Sequence, residues 1–198
     1  MVESSNSPAQ NDFYVQAVLL GEVIRRILKK RGDIDLSSKP IYTLKPITEF
    51  TKRMRVCSIE KFNETTYIAT VNFFSSQEDL NNHKAIGAIV LYISEDYLPP
   101  LLKRLEYPIV NEDDEEALKD ACGTLCNLIG GNFKSGLIQL NYQELVMSHF
   151  STYRNEVLSG VLFDPSQKEK YELSFFIADK KRIMADLTMG KIEKIKRH

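Results

Sequence analysis

Residues 85–94 constrain the fold more than any other part of the sequence. They read AIGAIVLYIS and are almost continuously apolar. A short apolar run of this kind is typical of a buried strand. The chain is therefore expected to build a sheet inside a layered domain.

Further strand signals occur on both sides of this run. Residues 66–74 are rich in β-branched and aromatic side chains, and residues 54–62 alternate moderately between apolar and polar. Beyond Gly136, strands are predicted at 137–142, 155–163 and 170–178.

Helices are predicted before, between and after these strands. Residues 12–32 carry apolar side chains at helical spacing, with Asp12 as the N-cap and Gly32 at the end. Three more helices are expected, one of about ten residues capped by Ser94, one at 111–130 and one at 179–187. This order of elements predicts an α+β fold or a layered α/β domain with antiparallel hairpins.

Composition and charge exclude two classes of function. Apolar residues make up 43% of the 198 residues, charged residues make up 27%, and the net charge is −1. This balance is typical of a globular protein and argues against ordinary nucleic-acid binding. A helix needs about 18 to 20 consecutive apolar residues to cross a bilayer, and no segment of the sequence is that long. The first ten residues lack the apolar core of a signal peptide. We expect a cytoplasmic protein that does not enter a membrane.

The length supports one substantial hydrophobic core. We expect residues 1–11 to form a disordered leader, residues 12–189 a single domain, and residues 190–198 a basic tail with a frayed end. Cys122 and Cys126 are expected to be small core residues, because no histidine lies near them in sequence. His83 and His149 have no recognisable partners, and the acidic run in residues 111–120 is expected to begin a helix. No metal and no cofactor are therefore expected.

The helix predicted at 111–130 has two unlike faces. At 3.6 residues per turn, one stripe faces the core and consists of Leu118, Ala121, Cys122, Leu125 and Ile129. The opposite side carries Asp120, Thr124, Asn127 and Gly131. Asparagine is a mediocre helix former, so Asn127 is not explained by helix formation. Gly123 costs about 1 kcal/mol relative to alanine, and glycine allows another backbone or protein to approach closely.

The segment DACGTLCNLIGGNFK contains Asp120, Gly123, Asn127 and Gly131. Their spacing resembles the signature helix of the CheC/CheX family of chemotaxis phosphatases, which reads approximately D-x-x-G-E-x-x-N-x-x-x-G-x-x-K. The resemblance covers about residues 54–178. It implies a CheX-like layered α+β fold, in which long helices pack on an antiparallel β-sheet. It also implies a homodimer and, as partner, the receiver domain of a CheY-like response regulator.

The resemblance implies a role for each matching residue. Asn127 would position the water that removes the phosphoryl group from the regulator's aspartate, while Asp120, Gly123 and Thr124 would belong to the partner-binding surface. An amide suits this role, because phosphoryl transfer needs an in-line water more than it needs a strong base.

The sequence departs from the family at the motif glutamate, where Thr124 stands. Threonine cannot form the expected ion pair with a regulator lysine and offers only a weaker hydrogen bond. Asp120, one turn earlier, is a conceivable substitute. The first predicted helix echoes the motif spacing, with Glu22 aligned to Thr124 and Arg25 aligned to Asn127, although chance periodicity explains this echo equally well.

Two functions are consistent with these observations. The first is a CheX-like protein of chemotaxis or two-component signalling that binds a receiver domain and has weak or lost phosphatase activity. The alternative is a non-enzymatic interaction or scaffold domain related to the flagellar switch proteins, which the missing glutamate favours.

Overall fold

The computed structural model describes residues 8–57, 59–108, 111, 114–155 and 157–195. Its helices are α1 (Pro8–Gly32), α2 (Ile59–Phe62), α3 (Gln77–Asn81), α4 (Leu98–Arg104) and α5 (Glu115–Gln139). Its strands are β1 (Ile41–Pro46), β2 (Glu49–Phe50), β3 (Arg53–Cys57), β4 (Thr66–Phe74), β5 (Gly87–Ser94), β6 (Val146–Met147), β7 (Ser151–Arg154), β8 (Val157–Val161), β9 (Glu169–Ile177) and β10 (Lys180–Met189).

An antiparallel sheet of seven strands forms the middle of the domain. Its order is β1-β9-β10-β5-β4-β6, and β7 also pairs with β4. Every residue of β5 is buried, which confirms that the apolar run of the sequence is a strand covered on both faces. The architecture is the predicted α+β fold with long helices on an antiparallel sheet.

Successive residues of each central strand face two different cores. Ile89, Leu91 and Ile93 of β5 join the larger core, which α1, α4 and α5 cover. Val90 and Tyr92 join a smaller core on the opposite face, covered by the three-stranded sheet β2-β3-β8. The domain therefore has three layers, with helices on one face of the main sheet and a small sheet on the other.

The predicted strand at 137–142 is wrong, because α5 continues to Gln139. Leu137 is fully buried on the core side of this helix, and Gly130 and Gly131 do not interrupt it. A side chain at position 130 would approach Met147 Sδ at 2.7 Å and Val71 Cγ2 at 3.0 Å. The glycine therefore allows the helix to lie close to the sheet, which compensates for its poor helix propensity.

The predicted final helix at 179–187 is also wrong. This segment belongs to β10, which pairs with both β9 and β5. A central strand buried on both faces carries apolar residues without strict alternation, so its pattern resembles that of a helix.

Element starts also differ from the predictions. Helix α1 begins at Pro8, so part of the expected leader is helical and Asp12 lies inside the helix. Tyr97 rather than Ser94 precedes α4, and Ser94 is the last residue of β5. The predicted strand at 54–62 is divided into β3 and the short helix α2. These differences arise because caps and short elements depend on neighbouring structure.

Residues 191–195 pack against the domain instead of forming a frayed tail. The backbone N–H of Ile195 donates to the Asn141 carbonyl at 2.7 Å, and Ile192 is buried. Lys194 forms an ion pair with Asp12 at 2.6 Å, which joins the segment to the start of α1. The rest of the expected tail, residues 196–198, lies outside the described residues.

Across the described ranges, no helix is both long and apolar enough to cross a bilayer. Cys122 and Cys126 are free thiols in the larger core, as expected from the sequence. Burial raises the pKa of the Cys122 thiol to about 12, so this side chain stays neutral.

Candidate functional site

Helix α5 presents the candidate site. It begins after Asp114, whose side chain accepts hydrogen bonds from the backbone N–H groups of Glu116 and Ala117, both at 3.1 Å. This cap, together with acidic residues in the first turn, favours a helix start here. The helix then lies on the sheet between α1 and β7.

Of the four residues expected on the partner-binding surface, all except Gly123 lie on the outer face of α5. Asp120, Thr124 and Asn127 are exposed, whereas the apolar stripe expected to face the core is buried. Gly131 also lies on the outer side, where a side chain would meet no atom within 4 Å. The helical periodicity therefore placed the polar residues on the correct side.

The Asn127 amide is available to a partner. No hydrogen bond joins its side chain to another group in the described part of the chain. Asn132 of the same helix differs, because its amide donates to the Leu128 carbonyl at 2.8 Å. An unbonded exposed amide can both accept and donate to an incoming group or to a water.

Glu22 does not replace the negative charge that the motif glutamate would supply at position 124. This residue of α1 accepts hydrogen bonds from the guanidinium groups of Arg25 and Arg26 at 2.7–2.8 Å. The bonds from Arg25 lower the pKa of the Glu22 carboxyl to about 2, with burial acting against them and Arg26 adding to them. A partner cation would have to displace two arginines, so Asp120 is the carboxylate more accessible to a partner.

Gly123 was expected on the partner-binding surface, and the structure corrects this. The Phe150 ring and Thr152 pack over it, and a side chain at position 123 would overlap the ring and approach Thr152 Cγ2 at 2.7 Å. Glycine does permit a close approach here, as the sequence indicated, but the approaching segment belongs to the same chain. No local signal identifies this segment, because Phe150 is remote in sequence from Gly123.

Substitution of two glycines in α5 should have opposite effects. We expect Gly123→Ala to lower the free energy of unfolding by about 1–3 kcal/mol, because its methyl group overlaps Phe150. Gly131→Ala should raise it by about 0.5–1 kcal/mol, because its methyl group meets open space and alanine favours helix. Urea unfolding of both variants checks the pair, and stabilisation by Gly123→Ala would contradict the packing described here.

A charged cluster at the start of α5 was not anticipated from the sequence. Arg154 of β7 pairs with Glu115 at 3.0 Å and with Glu95, and Lys119 pairs with Glu115 at 2.7 Å. These contacts join α5 to β7 and to Glu95, the residue that follows β5. Since its carboxylates are already paired with cations, the cluster is best explained as support for the helix.

An open groove of about 390 Å³ runs between α1 and α5. Leu19, near the middle of α1, packs against Gly136 near the end of α5. Arg26, Lys30 and Arg31 line the α1 side. On the α5 side the groove is lined by residues of the second half of the helix, which follow Asn127 along the chain, namely Asn132, Ser135, Gly136, Gln139 and Leu140.

No group of three or more histidine, cysteine, aspartate or glutamate side chains is arranged to hold a metal ion in the ranges that the structure describes. The candidate site thus consists of an amide, a hydroxyl and a carboxylate on one face of α5.

Comparison with known proteins identifies the fold. Neither a model of a known protein family nor a curated protein sequence matches the chain. One similar solved structure is a CheC-like superfamily protein from Shewanella sp. PV-4, which is 16% identical in sequence and has a TM-score of 0.57. The match covers 87% of this chain and 95% of that chain. The chemotaxis protein CheX from Desulfovibrio desulfuricans has 13% identity, 88% and 99% coverage and a TM-score of 0.53.

FliY from Thermotoga maritima is a third similar structure, with 14% identity, 93% and 92% coverage and a TM-score of 0.51. At these identities the similarity establishes the fold. The chain has the fold of the CheX and CheC-like proteins, which confirms at the structural level the resemblance seen in the α5 sequence.

Proposed function

We propose that this chain, which has the fold of CheX and CheC-like chemotaxis proteins, binds a phosphorylated receiver domain through the outer face of α5. Its phosphatase activity on that domain is weak or lost. The observation that carries the proposal is the exposed, unbonded amide of Asn127 on the outer face of α5, and the sequence resemblance gives this residue the role of the motif asparagine.

The chemistry requires little of the protein beyond positioning. Water attacks phosphorus in line, the bond to the regulator's aspartate breaks, and inorganic phosphate and a free carboxylate result. The Asn127 amide accepts a hydrogen bond from the water and holds its lone pair toward phosphorus, without changing its own charge. Proton transfer follows within the phosphate product and the solvent.

Thr124 accounts for the low activity. A hydrogen bond that involves a charged group contributes about 1.5–3 kcal/mol, which corresponds to about ten- to hundredfold in rate when it is made only in the transition state. Asp120 offers a carboxylate one turn away, in a position that the family motif does not use for this role.

The basic groove supports an anionic partner surface. Arg26, Lys30 and Arg31 outnumber Glu22 in the groove along the second half of α5, which gives this part of the surface a positive potential. Such a potential raises the association rate of a partner whose contact surface carries carboxylates and a phosphoryl group, and it does so most at low salt.

A direct experiment mixes the protein with phosphorylated receiver domains from its own organism and follows binding and phosphate release. We expect saturable binding and a low release rate that Asn127→Ala returns to the rate of the receiver alone. Asn132→Ala is the matched control, because that amide is bonded within its own helix.

Two results would count against the proposal. Fast phosphate release by the unaltered protein would disprove the weak activity. An equal effect of Asn127→Ala and Asn132→Ala would show that Asn127 has no special part in the reaction.

The alternative is a non-enzymatic scaffold domain related to flagellar switch proteins. The absence of the motif glutamate favours it. Affinity capture distinguishes the two functions, because a scaffold would retain flagellar or sensory partners whether or not the regulator is phosphorylated.

The proposal includes a cytoplasmic homodimer. The edge strand β1 exposes Ile41 and Leu44, and its outer backbone edge is available for pairing with a second copy among the strands described. Sedimentation at micromolar concentration tests this part, and a monomer would refute it.

A further inference from the structure

A cavity of about 210 Å³ opens on the sheet face opposite α5. Strands β1, β3 and β9 and helix α2 surround it, and six charged residues line it, namely Lys45, Arg55, Glu60, Lys61, Lys170 and Glu172. The cavity is smaller than the roughly 300–1,000 Å³ of sites for drug-sized ligands, so it suits a small molecule or ion.

A buried ion network forms one wall of this cavity. The Asp186 carboxylate is fully buried and accepts hydrogen bonds from Lys61 at 3.0 Å, Lys170 at 2.6 Å and the Tyr92 hydroxyl at 2.7 Å. Glu172 pairs with Lys61 and, at 2.8 Å, with Lys45. Both carboxylates are thus fully engaged by cations of the same chain.

The network contains more hydrogen-bond donors than acceptors. Each lysine has three N–H donors. Lys61 uses its ammonium group on two carboxylates and also lies 4.8 Å from the centre of the Tyr92 ring. Lys45 and Lys170 each form one ion pair, which leaves two N–H donors on each without a carboxylate partner. Lys170 is only 9% exposed, so water has little access to its remaining donors.

Arg55 adds further hydrogen-bond donors at the rim of the cavity. No described carboxylate lies within ion-pair distance of its guanidinium group, although Glu60 lines the same cavity. Three lysines face two carboxylates inside the network, and Arg55 balances Glu60 at the rim. The cavity as a whole therefore has one excess positive charge and several unused donors.

We propose that this cavity binds a small oxyanion, with phosphate or a short dicarboxylate as the chemical class. Lys45 and Lys170 supply charged N–H donors from the sheet, and Arg55 supplies a planar pair of donors from β3. An oxyanion fills the missing acceptor positions and offsets the excess charge. The site lies on the other side of the sheet from Asn127, so a partner on α5 leaves it open.

The test is an NMR titration of the ¹⁵N-labelled full chain with inorganic phosphate and, separately, with malonate, at constant ionic strength set by sodium chloride. We expect saturable shifts at millimolar concentration for the amides that surround the cavity. Arg55→Gln should weaken the affinity about tenfold, because one charge-assisted contact is lost. Arg55 is exposed, so this variant is expected to fold.

Lys39→Gln is the control, because it removes an equal charge from an exposed residue outside the cavity. Its affinity should stay within about twofold of the unaltered protein, as expected for a distant screened charge. Shifts that do not saturate, shifts centred on α5, or equal weakening by both variants would each refute the site. Saturation by phosphate alone or by malonate alone identifies which oxyanion the cavity selects.

Discussion

Replacing Lys61 with methionine should lower the free energy of unfolding by about 3–5 kcal/mol, because the change removes one partner of a buried ion network. Lys61 pairs with Glu172 and with the fully buried Asp186. Burial raises the pKa of the Asp186 carboxyl, and Lys61, Lys170 and Tyr92 more than offset it, so the net pKa is lowered. Without Lys61 the buried charge keeps only part of this compensation. Urea unfolding at neutral pH measures the loss.

A surface lysine provides the control for this prediction. Lys39→Met should change the stability by no more than about 0.5 kcal/mol, since Lys39 is exposed. A loss below about 1 kcal/mol for Lys61→Met would show that the network contributes little to the folded state.

The same network should make the free energy of unfolding depend on pH. Folding lowers the pKa of Asp186 and Glu172 from ordinary values of 3.8 and 4.5. For Glu172, burial opposes the lowering, and hydrogen bonds from Lys45 and Lys61 cause it. The contribution of such carboxylates is present above their ordinary pKa and lost as the pH falls through the folded value. The stability difference between the unaltered protein and Lys61→Met should therefore narrow below about pH 4.

Thr124→Glu should raise the rate of phosphate release from a bound receiver domain by about ten- to hundredfold, if the proposed function is correct. The substitution places a carboxylate where the CheC/CheX motif has glutamate, one turn of helix before Asn127. Position 124 is exposed, and glutamate forms helix more readily than threonine, so folding should be unaffected or slightly favoured. Release of phosphate from the phosphorylated receiver measures the gain.

Thr124→Gln separates charge from shape, because glutamine has nearly the same size without the negative charge. It should give little of the increase. The double variant Thr124→Glu, Asn127→Ala should lose the gain, because no amide then orients the water. An equal increase with glutamine would refute the ion-pair explanation, and no increase with glutamate would argue against this face as the docking surface.

Each feature that was predicted correctly from the sequence depends on the pattern of residues within a single helix or strand. The apolar run in β5 indicated a buried strand, and the spacing of apolar residues on α5 turned Asn127 outward. The motif on that helix indicated a fold that the structure shows. Each of these conclusions needed only residues within one strand or one helix.

The features that were missed depend on distant parts of the chain. Residues 179–187 have a pattern compatible with a helix, and only pairing with strands on both sides makes them part of β10. Gly123 was taken for a surface residue because Phe150, which covers it, belongs to another segment. Lys61 lies 111 residues from Glu172 and 125 from Asp186, so the sequence contained no sign of their network.

The sequence by itself determined that Asp120, Thr124 and Asn127 of α5 face solvent and that its apolar stripe faces the core, because helical periodicity is a local property of the backbone. Only the tertiary structure decided which strands pair, which segment covers Gly123, and which charges meet beneath the small sheet. Those contacts depend on long-range packing, in which burial and ion pairing act between residues far apart in the chain.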